Sequence, residues 1–486
     1  MVTLIQTVYQ FLWGDLITLP LPGGAGISFS LLVLLLIPTG IYFTLRTRFL
    51  SLRLFKDMLR VTLERKDGET TALSACQTLV VSTATRVGMG NLVGVVAAIS
   101  AGGAGAVFWM WVTALLGSTT AFIEATLAQL YKEEDPLYGG YRGGPAYYMH
   151  KFFQKNKKQT RWFPLSVLFA ISGLICWCGI SQVISNSVAS SFENAFNIPP
   201  LYSTIVLVIL GAVIVLRKNA TVKALDAIVP VMAGLYLLIT VGVILLNIGQ
   251  IPAVLERIFS EAFGLRQAVA GGIGAVIMNG VKRGLFSNEA GSGSAPCAAA
   301  TAKTDHPAKV GLVQALGVFI DTIVICSCTA FLMLLAPDEI TGSLAGMDLL
   351  QAAMGYHLGK FGVIFIAVIL WLFSFSTFLG ILYYARSNVS YLFGDSWAAQ
   401  TAYKVLALVM LFIGGLAAYT IVWDLGDVGV GLMTIFNLIA LYPVSYTHLD
   451  VYKRQIYRRK YWCDCYTDYL YCYGSSYLRS VCSSGK

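Results

Sequence analysis

Two runs of the chain decide its fold: Thr85-Arg86-Val87-Gly88-Met89-Gly90-Asn91 and Asn279-Gly280-Val281-Lys282-Arg283-Gly284-Leu285-Phe286-Ser287-Asn288-Glu289-Ala290-Gly291-Ser292-Gly293. Each is a cluster of glycines and polar residues inside an apolar segment, the first running from Thr71 to Ser100 and the second from Gln267 to Ala302. In hydrocarbon every backbone group must be bonded internally, so such a break survives only where protein or a water-filled cavity surrounds it. The two runs therefore mark a solute site rather than a lipid-facing wall.

Working outward, the 486 residues are 57% hydrophobic and 12% charged, with a mean hydropathy of +0.70. That is the composition of a polytopic membrane protein. Eleven segments are long enough to cross a hydrocarbon layer of ~30 Å: 27–45, 71–101, 104–131, 163–190, 200–216, 221–247, 267–302, 308–335, 361–385, 402–422 and 428–443. Residues 1–26 contain no Lys or Arg and do not read as a cleaved signal peptide. They are expected to form an interfacial lead-in helix ahead of a transporter domain over 27–442.

Positive charge is retained on the cytoplasmic side. Lys and Arg collect in the joints after spans 1, 3, 5, 7 and 9, whereas the opposite side holds only Arg257, Arg266 and Lys360. The N-terminus is thus expected outside, with span 2 running outward and span 7 running inward. Of the formal charge of +9, the seven Lys/Arg and three Asp after Tyr442 account for +4. The remainder sits in cytoplasmic loops as an insertion signal, so nucleic acid is not an expected partner; the lipid bilayer is. Cys76, Cys176, Cys178, Cys297, Cys326 and Cys328 lie inside apolar spans. There they act as small apolar side chains, and their C-x-C pairs lack zinc spacing.

Span 11 is expected to be truncated at Pro443. The following residues, 443–486, are rich in Tyr, Arg, Ser and Cys without hydrophobic periodicity. The run Ser445-Tyr446-Thr447-His448-Leu449-Asp450-Val451-Tyr452-Lys453-Arg454-Gln455 resembles translated sequencing-adapter read-through, and this tail is read as an artefact.

With span 1 set aside, ten spans remain and the broken ones are first and sixth. The expected fold is all-α and polytopic, with one extra N-terminal helix plus a 5+5 inverted repeat whose first and sixth core helices are discontinuous, the pattern of a secondary transporter. Half-helix N-termini suit a carboxylate, and unwound carbonyls suit Na⁺ or an ammonium group. Gly88, Gly90, Gly280 and Gly291 are expected to let backbone approach the ligand, though Gly90 and Gly94 also fit close helix packing. The implied solute is a small zwitterion accompanied by a cation. Asn91, Ser287 and Asn288 are the polar candidates for contact, and Phe286 a wall or lid of the pocket. Capping of the half-helix ends and ordinary packing are their alternative roles.

Glu289, an ionisable group at mid-membrane, is expected to shape the site or its gating, with Arg86 as its partner. Asp321 and Glu124 fit interhelical hydrogen bonds better than ion coupling; Gln77, Gln182 and Trp371 are weaker candidates, and His306 reads as a loop residue. Channels need a pore lined by rings of charge or carbonyl groups. Enzymes need a paired acid and base, a nucleophile–His constellation or a metal cluster. The four scattered histidines supply neither.

At these residues the chain resembles the alanine/glycine:cation symporter family, the sodium:alanine symporters, over about residues 1–442. The resemblance rests on 85–95, on Gly102-Gly103-Ala104-Gly105-Ala106-Val107-Phe108-Trp109-Met110-Trp111, on Tyr141-Arg142-Gly143-Gly144-Pro145-Ala146-Tyr147-Tyr148, and on Gly280 through Pro296 with Asp305-His306-Pro307-Ala308-Lys309. It implies a LeuT-like fold in the bacterial cytoplasmic membrane, and uptake of alanine or glycine driven by Na⁺, in some members by H⁺, without an organic cofactor. The substrate site would then be built from Gly88, Met89, Gly90, Asn91, Phe286, Ser287 and Asn288. A Ser/Thr pair in such folds joins carbonyls of the first broken helix around Na⁺, which points to Ser376 and Thr377 with Thr85 and Gly88. Back-bonding to the preceding turn is the alternative role of those hydroxyls. Two residues depart from the family pattern: Met89 stands where Thr is common and Ala104 where Pro is common. Met89 is expected to narrow the pocket or shift its preference among small amino acids.

Overall fold

The computed structural model describes residues 2–20, 26–63, 87–157, 164–217, 220–264, 272–304, 306–342 and 344–457. Thr85, Arg86 and Gln77 lie outside the described residues. The chain divides into two units, Met1–Leu441 and Tyr442–Lys486.

Helices make up nearly all of it. Six helices among the described residues are long and apolar enough to cross a bilayer: Gly105–Leu130, Pro164–Phe196, Pro307–Leu334, Met347–Phe393, Trp397–Leu416 and Val422–Ser445. The bent pair Val231–Leu246 and Ile248–Ala262 makes a seventh if taken as one span. Leu31–Arg46, Met89–Gly102 and Pro200–Val215 are shorter apolar helices.

The all-α expectation needs one correction. Two small antiparallel ladders occur, Ile17–Pro20 with Gly26–Phe29 and Glu133–Glu134 with Tyr141–Arg142. Because residues 26–29 pair back on 17–20, the first span begins at Leu31 rather than 27, where Ser30 Oγ accepts the Val33 N–H (3.3 Å) as an N-cap. The lead-in helix itself is Val2–Trp13.

Other boundaries shift for local backbone reasons. The segment 361–385 is part of Met347–Phe393, two helices joined at Gly359, where φ is 60° and glycine is the residue that tolerates it. The tenth span ends at Leu416 because Ala417 turns to an extended ψ of 157°. The last helix, Tyr419–Tyr457, carries Pro443 inside it.

Helices near the centre touch backbone to backbone through glycine. A β-carbon on Gly429 would lie 2.3 Å from Cys176 Cα, one on Gly414 2.2 Å from Gln182 Cα, and one on Gly179 2.3 Å from Gly426 N. Small residues permit this approach, which replaces the hydrophobic drive that lipid does not supply. Gly429→Ala should force the Pro164–Phe196 helix outward and cost about 1–3 kcal/mol, as overpacking does. A lowered unfolding midpoint in detergent is expected; an unchanged one would refute the contact.

The two broken helices lie side by side and antiparallel. Gly90 faces Ser287 Cα and Phe286, whereas Gly102, twelve residues on, faces Asn279 and Val276. This pairing puts both interruptions at one level of the bundle.

Candidate functional site

The first break is built by side chains that replace lost helical bonds. Val87 and Gly88 are followed by one 3₁₀ turn, Met89–Asn91, before the helix Val93–Gly102. Asn91 Oδ1 accepts from Gly88 N (3.0 Å), and Thr377 Oγ1 accepts from Met89 N (2.9 Å) while donating to Phe373 O (2.8 Å). A β-carbon on Gly88 would meet Thr377 Oγ1 at 2.1 Å, so only glycine fits there without displacing that hydroxyl.

The second break is narrower than its sequence suggests. Helix Gly272–Asn288 is continuous, and the interruption is Glu289–Ser294, ahead of the short helix Ala295–Ala299. Gly280 and Gly284 are therefore packing residues. Their β-carbons would lie 2.5 Å from Ala106 O and 3.0 Å from Thr113 Cβ on the Gly105–Leu130 helix. The unwinding falls where φ turns positive, at Glu289 (57°), Gly291 (95°) and Gly293 (81°). A left-handed glutamate is strained by about 1–3 kcal/mol, a sign of a functional constraint.

A buried carboxylate on a third element joins the breaks. Asp321 lies in a π-helical stretch, Phe319–Cys326, a distortion that recurs at functional positions. Its carboxylate accepts from Asn91 Nδ2 (2.5 Å), Ser287 Oγ (2.7 Å) and Thr322 Oγ1 (3.0 Å). Thr329 Oγ1 donates to Asn91 O (2.8 Å) and lies 2.6 Å from the Tyr236 hydroxyl. Cys326 Sγ sits 3.0 Å from Ser287 Oγ.

A second buried carboxylate holds the unwound backbone itself. Glu124 Oε2 accepts from Gly291 N (3.1 Å), and Asn437 Nδ2 donates to Gly291 O (3.0 Å) and to Glu124 Oε1. Tyr148 OH donates to Asn437 Oδ1, and the three side chains are buried. Both backbone polar groups of Gly291 thus have a partner, as burial in low dielectric demands.

Towards the N-terminal helix the site is closed by charge and aromatic rings. Arg283 pairs with Asp427 in a two-pronged bridge (3.0 and 2.9 Å) and stacks on Trp423, its guanidinium carbon 3.8 Å from the ring centroid. Phe286 packs on the same Trp423 (5.1 Å between centroids). Beyond the break, Lys132 Nζ donates to Gln129 Oε1 (2.7 Å) and Ala302 O (2.8 Å), so a cation caps the chain leaving the short helix. Burial pulls the Lys132 ammonium down to about 8.

Other expected residues fall as follows. Glu289 accepts from the Tyr384 hydroxyl (3.1 Å), while its expected partner Arg86 is outside the described residues. Asn288 Oδ1 accepts from Ala290 N (3.0 Å), and its buried Nδ2 finds no hydrogen-bond partner among the described residues. Ser376 Oγ bonds back to Phe373 O (2.9 Å). Gln182 Nε2 donates to Met410 Sδ (3.3 Å), and Trp371 stacks on Phe375 (5.6 Å between centroids). His306 caps the next helix through Ala308 N (3.0 Å). Among the described residues no group of three or more His, Cys, Asp or Glu could hold a metal ion.

Residues 24–462 match the model of the sodium:alanine symporter family. The chain belongs to that family. The probable sodium/glutamine symporter GlnT of Bacillus subtilis (strain 168) is 43% identical over 433 residues, with 88% of each chain covered. The sodium/alanine symporter AgcS of Methanococcus maripaludis is 36% identical over 450 residues, 91% of this chain and 95% of its own. Among solved structures, MhsT in complex with L-phenylalanine superposes with a TM-score of 0.54 at 13% identity, covering 77% of this chain and 89% of its own. A manganese transporter of Eremococcus coleocola gives 0.50, also at 13%, over 80% and 81%. This member of the family is therefore a multi-pass carrier with the LeuT-like fold, not an enzyme.

Several residues of this symporter's site had no role assigned from sequence. Asp427 went unassigned because span 11 was placed from 428, leaving it in a joint. One usable signal existed, since Asp427 is an acid within an apolar run and Lys282-Arg283 are adjacent bases in another.

Proposed function

We propose that this symporter takes up a small neutral amino acid, alanine or glycine, with Na⁺, by alternating access across a bacterial cytoplasmic membrane. The observation that carries it is Asp321, whose carboxylate ties Asn91 of the first break to Ser287 of the second. A buried anion at that point suits a hard cation or an ammonium group. Asn288 Nδ2, without a hydrogen-bond partner among the described residues, offers a donor for a carboxylate.

The reading has eleven spans, the N-terminus outside and an inverted repeat; the antiparallel pairing of the broken helices supports it. The substrate would lie among Gly88, Met89, Gly90, Asn91, Phe286, Ser287 and Asn288. Na⁺ would lie near Gly88 with Thr85, Ser376 and Thr377, a placement that requires Thr377 to turn its hydroxyl from Phe373 O. Glu289 and Arg86 would shift with the cycle, and Arg283–Asp427 with Phe286–Trp423 would close the outer side. H⁺ could replace Na⁺ in this scheme only by protonating one of the buried carboxylates.

Glutamine is the second reading, favoured by the 43% identity to GlnT. Purified protein in proteoliposomes, offered labelled alanine, glycine and glutamine under imposed Na⁺ or H⁺ gradients, separates these. Na⁺-driven accumulation of alanine or glycine is expected; uptake indifferent to both gradients would reject symport. In the same assay Met89→Thr should change the ranking of the three substrates by roughly tenfold, the scale of one or two methylenes in a pocket. An unchanged ranking would remove Met89 from the pocket.

A further inference from the structure

We infer that Tyr9 and Trp13, on the N-terminal helix Val2–Trp13, are positioning residues for outer closure, acting through Lys282 and Asp427; this rests on the transport reading above. The helix has two faces. Leu12 and Trp13 are 0% and 1% exposed, whereas Leu4 and Phe11 are 67% and 60% exposed. One face thus packs on protein while the other offers apolar side chains to a bilayer interface.

Its inner face does more than pack. Lys282 Nζ, on the second broken helix, donates to the Tyr9 hydroxyl (2.8 Å), lies 5.1 Å from the Tyr9 ring centroid, and is 3.5 Å from Asp427 Oδ2. Trp13 Nε1 donates to the backbone carbonyl of Asp427 (3.0 Å), on the last helix, and a β-carbon on Gly431 would meet Leu12 Cδ1 at 3.0 Å. The hairpin that follows anchors the strap, since Gly274, at the start of the broken helix, leaves no room for a β-carbon against Ser28 O (2.7 Å). One short helix therefore grips both partners of the Arg283–Asp427 bridge: the last helix at Asp427 itself, and the broken helix one residue before Arg283. Those two helices cannot part on the outer side until a Tyr9–Lys282 or Trp13–Asp427 bond is released.

The strap sets how much of the carrier faces outward. A bond made only when the outer side is closed shifts population towards that state by its own free energy. Removing it raises the outward-open fraction, which tightens apparent binding of external ligand in proportion to that fraction while slowing closure.

The test uses the full chain in proteoliposomes with uptake normalised to protein. Tyr9→Phe and Trp13→Phe, which each lose one hydrogen-bonding group and keep an aromatic ring, should lower Vmax and external KM for Na⁺ together, each by roughly five- to tenfold. Tyr9→Phe combined with Lys282→Met should be no worse than Lys282→Met alone, because both act on one contact. A fall in Vmax at constant KM, additive effects, or no effect would each overturn the strap. If the wild type shows no ion-driven uptake, the transport reading fails and amide exchange decides the strap. Faster exchange over residues 276–283 in Tyr9→Phe supports it, and an unchanged rate overturns it.

Discussion

Asp321→Ala is expected to abolish ion-driven uptake while leaving protein that inserts and purifies. The substitution takes the charged acceptor from Asn91 Nδ2 and Ser287 Oγ, leaving them the backbone carbonyl of residue 321 (3.2 Å from Asn91 Nδ2) and the weak acceptor Cys326 Sγ. Two hydrogen bonds to a charged group are worth about 1.5–3 kcal/mol each, so a roughly hundredfold or greater loss follows at 1.4 kcal/mol per decade. Asp321→Asn is the informative companion, because it keeps the shape and an acceptor oxygen but removes the charge. Loss of Na⁺ dependence with some residual substrate exchange is expected of Asn. Wild-type Na⁺ dependence in Asp321→Asn, measured by uptake against sodium concentration, would remove the charge from ion coupling.

Asp427→Ala is expected to produce the largest loss of stability. It strips the counter-charge from Arg283 and Lys282, whose side chains are 6% and 5% exposed. Removing one partner of a buried ion pair costs about 3–5 kcal/mol, mostly the penalty of the charge left behind, whereas replacing both partners by apolar groups is often neutral. Asp427→Ala should therefore aggregate or unfold at lower temperature in detergent, and Lys282→Met and Arg283→Met combined with Asp427→Leu, which remove all three buried charges, should recover the wild-type midpoint. The triple variant should not recover coupled uptake if, as proposed, the bridge and not only its bulk closes the outer side. Full transport in the triple variant would make Arg283–Asp427 a structural pair alone.

Much of the site was legible because membrane chemistry leaves few reasons for a polar residue in an apolar span. Asn91, Ser287 and Glu289 stood out on that ground, and each lies at a break. Gly280 misled for a related reason: a glycine in a spanning helix can mean unwinding or close packing, and only the neighbouring Ala106 carbonyl showed which. Asp321 and Glu124 were read as partners in interhelical hydrogen bonds, and both are. The backbone of Gly291 as a partner of Glu124 could not be inferred, since 167 residues separate the two.

Sequence by itself determined the membrane class, the two breaks, the opposite charge at alternate joints and the family resemblance. These are local or compositional properties, set by the cost of polar groups in hydrocarbon and by positive-charge retention. Only the tertiary structure decided what bridges the breaks and what ties down the ends. Asp321 reaches Asn91 across 230 residues, and Trp13 reaches Asp427 across 414. Such pairs are fixed by helix packing through glycine contacts of a few ångströms, which no spacing along the chain encodes.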